Sequence, residues 1–213
     1  MTIDKYDEWV KITPIEDMIS GFNPTTLNAT EIDIIRELAP PKICDIGCLN
    51  GSRLFPFLES EGIKFVGIEK YSKLAEGDDR RYVDNIIIED ILNITNISYA
   101  KSLEDIDMIT ILGGSLYGVF GYDNQFTAWE NIRALLRPCG KVIYDSFIID
   151  GYFDEAEIGV IQYRDCLPPQ FYLTEKQLLR LWADIGFNVN KYVDYEMNDW
   201  KYGARRYYIL SLK

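Results

Sequence analysis

Asp45, Gly47, Gly51 and Glu69 are the residues whose types and spacing could most directly do chemistry. In Ile43-Cys44-Asp45-Ile46-Gly47-Cys48-Leu49-Asn50-Gly51-Ser52 an apolar run feeds a glycine-punctuated turn. Phe65-Val66-Gly67-Ile68-Glu69 is a second apolar run, and it ends in an acid. Glycines let backbone approach a bulky ligand, and a carboxylate at the end of the following strand suits a ribose diol. A dinucleotide site needs G-x-G-x-x-G, so that a helix N-terminus can take the pyrophosphate. This chain has only Gly47 and Gly51 in the turn, and Asp45 ahead of them would repel a polyanion. A ligand with a cationic centre and no phosphate fits better.

The elements that must position these residues follow from hydrophobic period and stop signals. Asn28 with Glu31 three residues on is a capping box opening a helix that stops at Pro40-Pro41. Lys42 to Ile46 and Lys64 to Glu69 are short buried strands. A helix over Ser52 to Gly62 joins them, with Pro56 tolerated only in its first turn. Asn85 to Glu89, Met108 to Leu112 and Lys141 to Ser146 are further strands, and Asn124 to Leu136 is a helix. Thr174 with Gln177 is a second capping box, for a helix ending at Gly186. Phe187 to Tyr195 and Arg206 to Leu212 close the chain as an antiparallel β-hairpin. Apolar runs without alternation mark strands covered on both faces. The expected fold is therefore α/β: a doubly wound, mostly parallel, seven-stranded sheet. Residues 1–24 form an aromatic-bearing leader (Tyr6, Trp9, Met18, Phe22) and 25–213 one domain. The long 147–173 connection is a candidate substrate cap, since long connections tend to be functional.

Composition narrows the chemistry. The chain has 213 residues, a formal net charge of −12 and no histidine. The acidic balance disfavours binding to nucleic acid. Without histidine there is no His-dependent triad and no His-ligated metal. Cys44, Cys48, Cys139 and Cys166 form no CxxC pair and read as reduced thiols, so a cytoplasmic setting is expected. No apolar run is long enough to span a bilayer.

The turn resembles motif I of class I S-adenosylmethionine-dependent methyltransferases, D-x-G-C-x-x-G, carried here by Asp45, Gly47, Cys48 and Gly51. The resemblance extends in order along residues 25–213 and makes S-adenosyl-L-methionine the implied cofactor. It implies that Glu69 and the adjacent Lys70 lie at the ribose. Asp90 would hold the adenine amine, and Ile91 would offer its backbone N–H to the ring. Asp107 before the fourth strand, with Leu112-Gly113-Gly114-Ser115 after it, would stand beside the methyl group. Leu136-Arg137-Pro138-Cys139-Gly140 matches the family's "LkPGG" turn, with Cys139 in place of a glycine. Leu49 departs from the family's middle glycine; its side chain would narrow the methionine end or point away into the turn.

On the acceptor side, Tyr117, Tyr122 and Asp145 are the candidate catalytic residues, with Ser115, Asp123, Ser146 and Tyr152 nearby. Tyr117-Gly118-Val119-Phe120-Gly121-Tyr122-Asp123 resembles a stretch of small-molecule methyltransferases, and Trp9 and Phe22 of the leader could form an acceptor-pocket lid, as that segment does in the family, or simply pack on the sheet. Asp123 could equally cap the following helix. Leu112-Gly113-Gly114-Ser115 lacks the D/N-P-P-Y/F motif of enzymes that methylate base amines. The resemblance thus implies methyl transfer to N or O of a small molecule by in-line displacement, which needs positioning more than acid–base chemistry. Two alternatives stand beside it: a protein or tRNA methyltransferase, and a non-catalytic S-adenosylmethionine-binding partner subunit.

Overall fold

The computed structural model describes residues 4–14, 26–76, 81–94, 100–113, 115–147, 159–161, 170–195 and 205–213. Apolar runs buried on both sides form the centre of one seven-stranded sheet. Its strands are β1 (Lys42–Ile46), β2 (Lys64–Glu69), β3 (Ile86–Ile88), β4 (Ile106–Ile111), β5 (Leu136–Phe147), β8 (Phe187–Tyr195) and β9 (Arg205–Leu212). Their spatial order is β3-β2-β1-β4-β5-β9-β8. The first five are parallel; β9 runs antiparallel between β5 and β8. Every residue of β4 is buried, as a central parallel strand requires. The chain winds outward from β1 to β3, then crosses back to β4. The order therefore reverses between β1 and β4, and a crevice opens at their carboxyl ends.

Helices α1 (Asp4–Ile12), α2 (Ala29–Leu38), α3 (Phe55–Ser60), α4 (Ser72–Glu76), α5 (Ala100–Leu103), α6 (Tyr122–Leu135) and α7 (Glu175–Ile185) complete the described elements with a small antiparallel pair, β6 (Gly159–Ile161) and β7 (Gln170–Tyr172). Both predicted capping boxes form, Asn28 with Glu31 and Thr174 with Gln177. One sheet face is sealed by α6 and α7. Fully buried Trp129 meets Tyr144, Trp182 and Phe187 edge-on at 5.3, 5.4 and 5.8 Å. Such pairs add about 0.5–1.5 kcal/mol each beyond burial. On the other face Ile34, Ile35, Phe55, Leu58 and Tyr207 pack together.

Several boundaries differ from the sequence reading. The helix expected over Ser52 to Gly62 is confined to Phe55–Ser60, because Pro56 must occupy its first turn. The third strand is shortened to Ile86–Ile88, pairs only with β2, and leaves Ile88 exposed. The fifth strand reaches back to Leu136, with Cys139 at φ 67°, the left-handed conformation that a glycine would supply. Helix α6 starts at Tyr122 behind Gly121, so Asp123 lies in its first turn instead of capping it. Asp107 lies at the start of β4, ion-paired with Arg137, in a hollow with Lys42, Lys64 and Glu104. Parallel strands place that end on the edge opposite the crevice, so Asp107 is not beside the glycine turn. Within 147–173 the structure describes only β6 and β7; of the leader it describes residues 4–14. Met18, Phe22 and Tyr152 lie outside the described residues.

Candidate functional site

The turn after β1 is built for close approach. Gly47 has φ +69° and donates its N–H to Ile68 O at 2.8 Å. A Cβ on Gly47 would stand 2.5 Å from Ser115 Cβ, so any side chain there would push the β4–α6 connection away. Leu49 also adopts a positive φ, 53°. For a residue with a Cβ this costs about 1–2 kcal/mol. Its N–H donates to Glu69 Oε2 at 3.1 Å, and Tyr71 N–H donates to Glu69 Oε1 at 3.1 Å. The side chain packs with Trp9, Val10, Tyr71 and Leu74, where α1 crosses α4. Burial there offsets the backbone cost, and Leu49 joins the rim of the crevice by packing under the leader helix. Asp7 ties that helix down: Tyr71 Oη and Lys70 Nζ donate to its Oδ1 at 2.5 and 3.1 Å.

The crevice itself is a cleft of about 180 Å³. Its first wall comes from the carboxyl ends of β1, β2 and β3, and holds Asp45, Glu69, Lys70, Glu89 and Asp90. Its second wall comes from the β4–α6 connection and β7, and holds Leu116, Val119, Phe120 and Gln170. Burial raises the Asp45 carboxyl to about 7, against a hydrogen bond from Thr110 Oγ1 at 2.7 Å. Burial likewise raises Glu69 to about 7, with the two backbone N–H donors opposing it. Asp90 Oδ1 accepts from Leu92 N–H at 3.0 Å, and its Oδ2 lies 3.4 Å from Lys70 Nζ. Asn131 Nδ2 donates to Ile91 O at 2.7 Å and fixes that peptide, while the Ile91 N–H meets no protein acceptor among the described residues.

Of the residues expected at the cofactor, Asp45, Gly47, Cys48, Glu69, Lys70, Asp90, Ile91 and Gly113 all line the cleft. Gly51 (φ +75°) lies behind it, against the Phe55 ring. Cys48 contributes backbone to the lining while its thiol packs over Gly67 in the core. The candidate catalytic residues sit elsewhere. Asp145 is fully buried, gripped by Arg205 through both oxygens, and accepts from Gly113 N–H at 3.0 Å. Tyr117 is buried with its ring 4.3 Å from that of Tyr172. Tyr122 packs against the α6–α7 core. Ser115 lines the cleft; its hydroxyl donates to Leu112 O at 2.7 Å.

Three residues escaped the sequence reading. Arg53 lines the cleft and donates from Nη2 to Glu31 Oε1 at 2.5 Å, and Glu31 also accepts from Tyr207 Oη at 3.1 Å. Gln125 reaches from α6 to clamp Leu116 O and Val119 O, both at 2.9 Å. Gln170 opens β7 and faces the cleft. Arg53 meets Glu31 across 22 residues, while Gln125 and Gln170 bond nearer residues in connections whose path no local pattern marks.

No protein-family model matches the sequence, and no curated sequence is significantly similar to it. Solved structures do match. An S-adenosylmethionine-dependent methyltransferase from Methanosarcina mazei superposes with a TM-score of 0.66 at 17% identity, over 88% of this chain and 98% of that one. The 1,6-didemethyltoxoflavin N1-methyltransferase of Burkholderia thailandensis, solved with 1,6-didemethyltoxoflavin and S-adenosylhomocysteine, gives 0.68 at 14% identity, over 100% and 91%. The magnesium protoporphyrin IX methyltransferase of Synechocystis PCC 6803, solved with S-adenosylmethionine, gives 0.64 at 12% identity, over 97% and 94%. In strand order, in the terminal antiparallel strands and in the cleft at the β1–β4 reversal, this chain has the fold of the class I S-adenosylmethionine-dependent methyltransferases.

Proposed function

We propose that the protein is an S-adenosylmethionine-dependent methyltransferase that acts on N or O of a small molecule. One observation carries the reading: Glu69, Asp90 and the Ile91 N–H, which has no acceptor among the described residues, stand in sequence along the first wall of one cleft, beside the Gly47 turn. These groups suit the cofactor's parts in that order. The Glu69 carboxylate is held by two backbone N–H donors and keeps lone pairs for a ribose diol. Asp90 accepts from an amine, and Ile91 N–H donates to a ring nitrogen. The buried acids Asp45 and Glu69 favour a cationic ligand over a polyanion. Bound there, the cofactor supplies an activated methyl on a sulfonium.

The chain's own contribution is positional. Gly47 and Gly113 bring backbone to the ligand, and Asp145 holds the Gly113 peptide through its N–H. Gln125 shapes the second wall, which would hold the acceptor in line with the methyl group. Leu49 packs under α1 at the rim, which favours a working site over the non-catalytic alternative. Small-molecule acceptors are also what the 1,6-didemethyltoxoflavin and magnesium protoporphyrin IX enzymes take by name. The test is calorimetric titration with S-adenosylmethionine, wild type against Glu69→Ala and Asp90→Ala. Binding weakened at least about tenfold in each variant, the loss of one or two good hydrogen bonds, is expected. No binding by the wild-type chain at millimolar ligand would sink the reading.

A further inference from the structure

The two walls of the cleft differ in chemistry. Among the described lining residues, the acids and lysine come from the ends of β1, β2 and β3. The β4–α6 connection and β7 contribute Leu116, Gly118, Val119, Phe120 and Gln170, none of them ionisable. Arg53 reaches toward Gly113 with Nη1, and its charge is balanced by the Glu31 carboxylate that accepts from Nη2. A charged acceptor would therefore lose its hydration on the second wall without gaining a partner.

Gln170 is the polar exception. Its residue is 6% exposed. Its Oε1 is occupied by the Tyr172 hydroxyl, which donates at 2.5 Å. Its Nε2 meets no protein acceptor among the described residues, yet it is not sealed from solvent as the buried unpartnered atoms are. Gln170 is one of the residues that line the cleft. The support behind it is rigid. The Tyr172 ring rests on Tyr117 at 4.3 Å, and Phe171 N–H donates to Tyr117 O at 2.8 Å, which pins β7 to the β4–α6 connection. With Oε1 taken by the Tyr172 hydroxyl, the Nε2 donor is the part of the amide left to meet a ligand.

Resting on the methyltransferase reading, we propose that Gln170 is the acceptor-recognition residue. The acceptor is an uncharged, largely apolar molecule that presents a carbonyl oxygen or ring nitrogen to the Gln170 amide. Tyr172 is its positioning residue.

The experiment first confirms that the chain binds S-adenosylhomocysteine; failure at that step counts against the methyltransferase reading itself. The saturated complex is then titrated with uncharged ring carbonyl compounds of one to three fused rings. Each is paired with a counterpart lacking the carbonyl and one carrying a carboxylate, for example 7-hydroxychromone, 7-hydroxychroman and 7-hydroxychromone-2-carboxylate. The carbonyl members should bind about fivefold or more tighter than both counterparts, the worth of one hydrogen bond. Gln170→Leu should erase that preference while S-adenosylhomocysteine binding persists. Gln170→Glu, which keeps the Tyr172 contact but loses the donor, should erase it too, and guards against a Leu variant that fails to fold. Equal or tighter binding of the counterparts, a preference that survives in both variants, or no binding by any member would overturn the proposal.

Discussion

Two buried carboxyls in one cleft make the free protein's behaviour depend on pH in a calculable way. Glu69 is 4% exposed, and burial raises its pKa from 4.5 to about 7. The folded chain therefore holds a proton that the unfolded chain has released between those values. Stability is full below the ordinary pKa and is lost as pH rises through about 7, by roughly 3 kcal/mol for this group. Asp45, raised from 3.8 to about 7, acts in the same direction. A bound ligand that offers a diol to Glu69 and a cation near Asp45 favours the ionised forms. Ligand binding must then release protons below pH 7, and affinity must rise with pH. If binding returned Glu69 alone to its ordinary value, S-adenosylmethionine would bind about tenfold tighter at pH 7 than at pH 5.5. The ligand's own ammonium titrates near about 8, so the window stays below that. The assay is calorimetry at about pH 6 in buffers of different ionisation enthalpy, with a release of nearly one proton expected for Glu69. Glu69→Gln should bind more weakly and flatten the dependence by that amount. An affinity unchanged from pH 5.5 to 7, or an equal slope in Glu69→Gln, would refute the reasoning.

Other outcomes follow from single contacts. Asp145→Ala should destabilise the fold by about 3–5 kcal/mol, because it strands the nearly buried Arg205 without its partner; urea unfolding measures it. In the Asp145→Asn and Arg205→Met double variant most of that loss should return, since two neutral groups leave no buried charge. Cys139→Gly should raise stability by up to about 1 kcal/mol, because φ 67° strains a side-chain-bearing residue and suits glycine; thermal unfolding reads it. Leu49→Gly relieves similar strain at φ 53° but removes the contact with Trp9 and Val10. Its global stability should therefore change by less than about 1 kcal/mol, while Trp9 fluorescence shifts red as α1 loosens.

Local signals carried the frame. Asn28 with Glu31, and Thr174 with Gln177, each close a capping box within four residues, and both appear as read. Lys42–Ile46 and Lys64–Glu69 have the expected bounds because each is a short, mostly apolar stretch opened by a lysine and followed by a turn. The third strand reads as Asn85 to Glu89 but spans only Ile86–Ile88, because Asn85 closes the 3-10 turn Val83–Asn85 before it and the strand, at the sheet edge, pairs with one neighbour and leaves Ile88 exposed. Asp145 shows what a sequence conceals. After a buried strand it reads as a free acid at an active site, yet Arg205, sixty residues on, takes both of its oxygens. The same holds for Gln170, a neutral amide after two prolines. Its setting depends on Tyr172 beside it and on Tyr117 far upstream.

The split between legible and hidden parts follows the two walls of the cleft. The first wall is written in the ends of three parallel strands and the turns directly after them, so its residues sit at short, regular intervals from Asp45 to Ile91. Strand ends are held by the sheet, and a ligand common to many reactions needs that fixed frame. The second wall is assembled from the β4–α6 connection and from β7, which meets it through the Phe171–Tyr117 hydrogen bond and the Tyr117–Tyr172 and Phe120–Phe171 ring contacts. Those contacts can change without disturbing a strand of the main sheet. In the proposed reading, acceptor choice is thus decoupled from the donor site. The Asp45 and Glu69 desolvation cost falls on the frame in either case, and a cationic ligand can offset it whatever the acceptor is.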